Sequence, residues 1–155
     1  MYKKILVPLD GSKRAEAILG HVIPLAQASE AELILLQVIS PGSPEFIEPM
    51  GPFGAPMAME PYFEALESAE KEAAAYMESS VGALKKQGIQ ARSRILRGEA
   101  VRSIIDIANE EKVDLVAMAS HGRTGLSRVF YGSVANGVLH QIDRPLLLIR
   151  AHAND

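Results

Sequence analysis

The residues whose types and spacing suit chemistry gather in one stretch. It runs Met118-Ala119-Ser120-His121-Gly122-Arg123-Thr124-Gly125-Leu126-Ser127-Arg128, and Gly132-Ser133-Val134 then opens a helical pattern. A strand signal, Asp114 to Ala119, leads straight into it. Small residues at a strand end let the backbone approach a ligand closely. A helix entrance adds unpaired N–H groups and the positive end of the helix dipole. Together these features suit an anionic phosphate. Ser133 is a better candidate than Ser127, because its backbone and its hydroxyl both belong to the helix entrance, although serine is also an ordinary cap residue. Arg123 and Arg128 read equally well as phosphate-neutralising groups and as solvated surface charges.

No catalytic residue can be assigned from this stretch. His121 has no Ser-His-Asp arrangement near it and reads first as a loop or supporting residue, because function has to come from mutual geometry. The four histidines do not form a zinc-ligand spacing, and the chain has no cysteine. No metal site is expected, and a magnesium ion would arrive with phosphate and water ligands. Neither Gly-x-x-x-x-Gly-Lys-Ser/Thr nor Gly-x-Gly-x-x-Gly occurs, so the phosphate cradles of P-loop NTPases and dinucleotide dehydrogenases are missing.

The elements that must position this stretch alternate between short β-rich apolar runs and longer helical periods, the pattern of βαβ units and a parallel sheet. Strands are expected at Lys4 to Leu9, Glu32 to Val38, Gln90 to Leu96, Asp114 to Ala119 and Pro145 to Arg150. Leu33 to Leu36 and Leu146 to Ile149 are continuously apolar, as in strands covered by helices on both faces. Gln90 to Leu96 alternates, which suggests an edge. The expected fold class is therefore α/β: an open five-stranded parallel sheet of order 3-2-1-4-5 with helices on both faces.

Four helical stretches connect the strands. The first, with Ser12 as N-cap, carries Ala15, Ile18, Leu19, Val22, Ile23 and Ala26, and Pro24 is expected to bend its last turn. The second carries an apolar stripe of Tyr62, Phe63, Leu66, Ala69, Ala73, Tyr76, Met77 and Leu84 and stops at Gly88. The third carries Val101, Ile104, Ile105 and Ala108, and the fourth Val134, Val138, Leu139 and Ile142. Residues 40–60 mix five prolines with three glycines and read as a loop.

Composition bounds the rest. The 155 residues fit one domain, 48% are hydrophobic and 23% charged, which places the chain among globular proteins. A net charge of −3 provides no general field for nucleic acid or anionic membrane surfaces. The opening residues lack a signal-peptide pattern, and no apolar run reaches the roughly 18 residues of a membrane span. The cytoplasm is the expected compartment.

The phosphate-binding stretch resembles the universal stress protein family, whose nucleotide-binding members carry Gly, two residues, Gly, nine residues, then Gly and Ser or Thr. Gly122 matches the second glycine, Arg123 to Tyr131 the nine residues, and Gly132-Ser133 the end; Ala119 stands at the first glycine position. Lys3 to Ser12 resembles the family's first strand and acidic turn, Leu33 to Val38 its second strand, and Gly98 to Val116 its third helix and fourth strand. The resemblance implies ATP as ligand. Pro8, Leu9, Asp10 and Val38 would lie on the ribose and adenine side; Met118, Ala119, His121, Gly122, Arg123, Gly132, Ser133 and Val134 would lie around the phosphates. It also implies a homodimer through the last strand. Three functions are compatible with it: a stress-response or signalling module acting through nucleotide-linked conformation or assembly, a slow ATPase or nucleotidyl-transfer enzyme, and a nucleotide-free homodimeric interaction module.

Overall fold

A computed structural model describes residues 1–41, 59–120 and 132–150. The five apolar runs form β1 (Lys4–Pro8), β2 (Glu32–Ile39), β3 (Ala91–Arg97), β4 (Leu115–Ala119) and β5 (Leu146–Ile149). All pair in parallel, in the order β3-β2-β1-β4-β5. This is the expected topology, with β3 and β5 at the edges. Strand ends shift by about a residue for local reasons. Pro145 has no N–H for the ladder, yet its carbonyl accepts the Val116 N–H at 3.0 Å. Asp114 precedes β4 and accepts the N–H groups of Lys3 and Lys4 at 2.7 and 2.8 Å, fastening β4 to the start of β1.

Side chains alternate across the sheet, and both sides are buried. Ile5, Val7, Leu9, Leu33, Leu35, Leu115 and Ala117 face Ile18, Val22, Met77 and Leu84. Leu6, Ile34, Leu36, Val116 and Met118 face Ile104, Ile107, Ala108, Ala135 and Val138. The first face is covered by α1 (Lys13–Glu16), α2 (Leu19–Ser29) and α3 (Met59–Lys86), the second by α4 (Ala100–Glu110) and α5 (Ser133–Gln141). Two covered faces explain why the central strands are continuously apolar.

The helices depart from expectation in three places. The first is divided into α1 and α2 at Ala17 and Ile18, and Pro24 lies inside α2. Three-residue turns replace the helical bonds there, with Ile18 N–H donating to the Ala15 carbonyl at 3.3 Å and His21 N–H to that of Ile18 at 3.0 Å. Phe63 is exposed, because adjacent residues on a helix point about 100° apart and Tyr62 takes the inward direction. The two rings meet edge to face, 5.6 Å between centroids. On α4 and α5, Ile107 is buried while Ile105 is only half-buried, and Leu139 is exposed.

Gly88 ends α3 with φ +78°, where the Ile89 N–H donates back to the Leu84 carbonyl at 3.1 Å. Among the described residues, no helix is long and apolar enough to cross a membrane. Most of the loop at residues 40–60 lies outside the described residues.

Candidate nucleotide site

The order β3-β2-β1-β4-β5 reverses direction between β1 and β4, opening a crevice beyond the carboxyl ends of these two strands. Pro8 ends β1 and Leu9 and Asp10 follow it, Val38 lies near the end of β2, and Met118 and Ala119 finish β4. One hydrogen bond brings the α5 entrance to the same place: Gly132 N–H donates to the Ser120 carbonyl at 2.8 Å. Ser120 N–H donates in turn to the Ile149 carbonyl at 2.7 Å, so β4, β5 and the α5 entrance share one anchor.

Gly132 caps α5 without a side chain, at φ −57° and ψ 155°. The first full helical bond is Asn136 N–H to the Gly132 carbonyl, 2.9 Å. The N–H groups of Ser133, Val134 and Ala135 precede that bond and have no acceptor within the helix. They point out of its positive end, and Ser133 is exposed beside them. Close packing fixes α5: a Cβ on Gly137 would lie 2.6 Å from Val101 Cγ2 on α4.

Burial determines which part of each residue is available. Leu9 is buried on the α1–α3 face and its N–H donates to the Leu36 carbonyl at 2.8 Å. Met118 is buried on the other face and Ala119 is also buried. Val38, half-buried on the α4–α5 face, continues the apolar wall above Leu36. Ala119 pairs with Ile149 within β4, in the extended backbone that alanine accommodates, so its place at the first glycine position requires no positive φ. Asp10 Oδ1 accepts the Ser12 N–H at 2.9 Å, and Ser12 Oγ accepts the Ala15 N–H at 3.2 Å. Asp10 therefore orders the helix entry, and Gly11 at φ +79° makes the turn between them possible. Asp-Gly-Ser is the sequence signal by which Gly11 could have been found.

His121, Gly122 and Arg123 lie outside the described residues, as do Ser127 and Arg128. Among the described residues, no cluster of histidine, aspartate or glutamate could hold a metal ion. The backbone donors and small residues suit a phosphate, and the apolar wall at Val38 suits a flat base.

Sequence reasoning missed a cavity of about 190 Å³ between β2 and α3, lined by Gly11, Gln37, Ile39, Ala69, Glu72, Ala73 and Tyr76. Gln37 Oε1 and the Tyr76 hydroxyl oxygen are buried without a hydrogen-bond partner. A glutamine within an apolar strand was the available signal.

An open parallel sheet covered on both faces, with a crevice at its reversal point and a helix entrance turned into it, defines the Rossmann-like class. The universal stress protein family model matches residues 1–150, and the chain belongs to that family. It is 33% identical over 155 residues to universal stress protein MJ0577 of Methanocaldococcus jannaschii, covering 97% of this chain and 96% of that protein. The solved structure of MJ0577 superposes with a TM-score of 0.85 over 99% of both chains at 32% identity. Two more distant structures share the fold. A universal stress protein in complex with cAMP has a TM-score of 0.60 at 20% identity over 97% of this chain and 98% of its own. A universal stress protein from Archaeoglobus fulgidus in complex with dAMP has a TM-score of 0.65 at 18% identity, over 96% and 98%.

Proposed function

We propose that this protein is a cytoplasmic ATP-binding stress-response or signalling module that acts through nucleotide-linked conformation or assembly. The carrying observation is the 2.8 Å bond from Gly132 N–H to the Ser120 carbonyl, which sets the first-turn donors of α5, without acceptors inside the helix, at the end of β4. In this reading Ser133, Val134 and Ala135 donate backbone N–H groups to phosphate oxygens, and the α5 dipole contributes about 0.3–1 kcal/mol for each favourable charge contact. Asp10 and the Val38 backbone receive the ribose and adenine; His121, Gly122 and Arg123 complete the phosphate side. A magnesium ion, if it came with the phosphates, would neutralise part of their charge and would need no side-chain cluster of this chain. Adenine nucleotides in two structures of the same fold support the ligand class.

Binding changes the protein's state only through different affinities for the states it links. Assembly is the candidate state change. β5 is an edge strand whose four apolar residues are each only half-buried, so a second copy pairing there would cover both its backbone and its side chains. Calorimetric titration of nucleotide-stripped protein with ATP tests the reading, with saturable binding expected. Product analysis under the same conditions separates a binding module from a slow ATPase. Absence of binding at millimolar ATP would leave the nucleotide-free interaction module as the better reading.

A further inference from the structure

The cavity between the end of β2 and α3 lies on the sheet face opposite the Val38 side chain. Gln37 and Ile39 line it from β2, and Ala69, Glu72, Ala73 and Tyr76 from α3. Its volume, about 190 Å³, exceeds the roughly 150 Å³ of apolar cavities known to take up benzene. Two lining side chains have unused hydrogen-bonding capacity: Gln37 Oε1 is an acceptor, and the Tyr76 hydroxyl can accept as well as donate. The Ser80 hydroxyl donates to the Tyr76 main-chain carbonyl at 2.9 Å, and the Ser80 and Glu16 side chains both lie near enough to the Tyr76 hydroxyl to influence it. Buried polar atoms without partners are uncommon in folded proteins and call for an explanation.

Among the described residues that line the cavity, the charge is negative. Glu72 is exposed at its margin, and none of the lining residues is cationic. Burial pushes the Tyr76 hydroxyl well above its ordinary value, and the nearby carboxylates of Glu16 and Asp10 push it further in the same direction. A negative field disfavours an anion and favours a cation. Ile39, Ala69 and Ala73 supply an apolar lining for the body of the ligand.

We propose that this cavity is a second binding site, separate from the nucleotide crevice, for a compact organic cation whose N–H donors meet Gln37 and Tyr76 and whose charge faces Glu72. An amidinium or primary ammonium on a small apolar body has this chemistry. Gly11 lines the cavity, and its neighbour Asp10 lies in the turn that follows β1 at the nucleotide crevice, so this turn adjoins both sites. Occupation of this cavity does not require ATP in the crevice.

Three probes of similar shape and different charge test it: benzamidine, benzamide and benzoate, titrated into the full chain and followed by amide chemical shifts. Benzamidine is expected to bind with a dissociation constant on the order of 1 mM, shifting Gln37, Ile39, Ala73 and Tyr76. Benzamide should bind at least fivefold more weakly, and benzoate should leave these signals unmoved. Glu72→Gln and Tyr76→Phe should each weaken benzamidine at least threefold. Tyr76→Phe keeps the ring and removes only the hydroxyl, so the protein should remain folded. Ala69→Leu fills the cavity from a helix that tolerates leucine and should abolish binding. Repetition with ATP present should leave the benzamidine response in place. Equal response to the three probes, absence of a benzamidine response, retained binding in the folded Ala69→Leu protein, or displacement by ATP would each overturn the proposal.

Discussion

Gly137 of α5 faces Val101 of α4 so closely that a Cβ at Gly137 would come within 2.6 Å of Val101 Cγ2. The two helices cover the same sheet face, and α5 carries the proposed phosphate donors at its N-terminus, one turn before Gly137. This contact therefore sets how α5 lies relative to the crevice. Alanine in place of glycine ordinarily stabilises a helix interior by about 0.5–1 kcal/mol. Here overpacking against a stiff β-branched side chain costs about 1–3 kcal/mol and wins. Gly137→Ala is expected to lower stability by about 1 kcal/mol in urea unfolding, and a Val101→Ala background should remove most of that loss. Additive effects in the double variant would contradict the contact.

Gly132→Val tests the phosphate approach without disturbing the fold. Gly132 has φ −57° and ψ 155°, an extended conformation open to valine. The added side chain would crowd the entrance to α5, where the Ser133 and Val134 donors lie. ATP affinity is expected to fall at least tenfold, equivalent to about 1.4 kcal/mol, with an unchanged circular dichroism spectrum. A folded variant with wild-type affinity would remove the donors from the binding mode.

The proposed dimer edge calls for a different substitution from the obvious one. Leu147 packs against the α1–α3 core, and Leu146 and Leu148 against the α4–α5 core, so a charge at any of them would damage the monomer. The carbonyls of Pro145 and Ile149 both bond to β4, and backbone direction alternates along a strand, so Leu148 turns its N–H away from β4. Leu148→Pro removes that outward donor, which edge strands tolerate, and also trims the packing of this side chain on the α4–α5 core, so an unchanged circular dichroism spectrum must accompany the result. Light scattering should show a dimer for the unmodified protein at micromolar concentration and at least tenfold weaker association for the variant. A monomeric unmodified protein would dispose of the proposed dimer.

An ion cluster far from the crevice should govern acid stability. Arg92 donates to Glu111 Oε1 and Oε2 at 2.9 and 2.6 Å and to Glu32 at 2.8 Å, and Arg94 joins Glu111 at 2.9 Å. The Arg92 hydrogen bonds, with a smaller contribution from Arg94, hold the Glu111 carboxyl down at about 2, against an ordinary value of 4.5. Because the folded value is depressed, the unfolded chain takes up the proton first as pH falls. The stabilisation is complete above about pH 4.5 and is lost progressively toward about pH 2. Glu111→Gln should lower the melting temperature at pH 7 and flatten its decline between those limits. Parallel wild-type and variant melting curves would contradict this assignment.

The strands, their parallel order, and the fastening of the glycine-serine pair to the helix after β4 were all legible from local signals. Continuous apolar runs, helical periods and turn residues are properties of neighbouring residues, and they survive translation into a fold. The family resemblance rested on the same segments, and the family match over residues 1–150 agrees with it. What periodicity left undecided were choices between neighbours competing for one space. Tyr62 rather than Phe63 turns inward, Ile107 is buried more deeply than Ile105, and the first helix divides at Ala17 and Ile18 although its proline lies at position 24. Gln37 and Tyr76 belong to elements separated by a long connection, and only the packing of α3 over β2 places both around one cavity. The sequence by itself determined which segments become strands and helices, because hydrophobic period acts over a few residues. The tertiary structure alone decided which polar atoms were left without partners, because that depends on what each meets across the core.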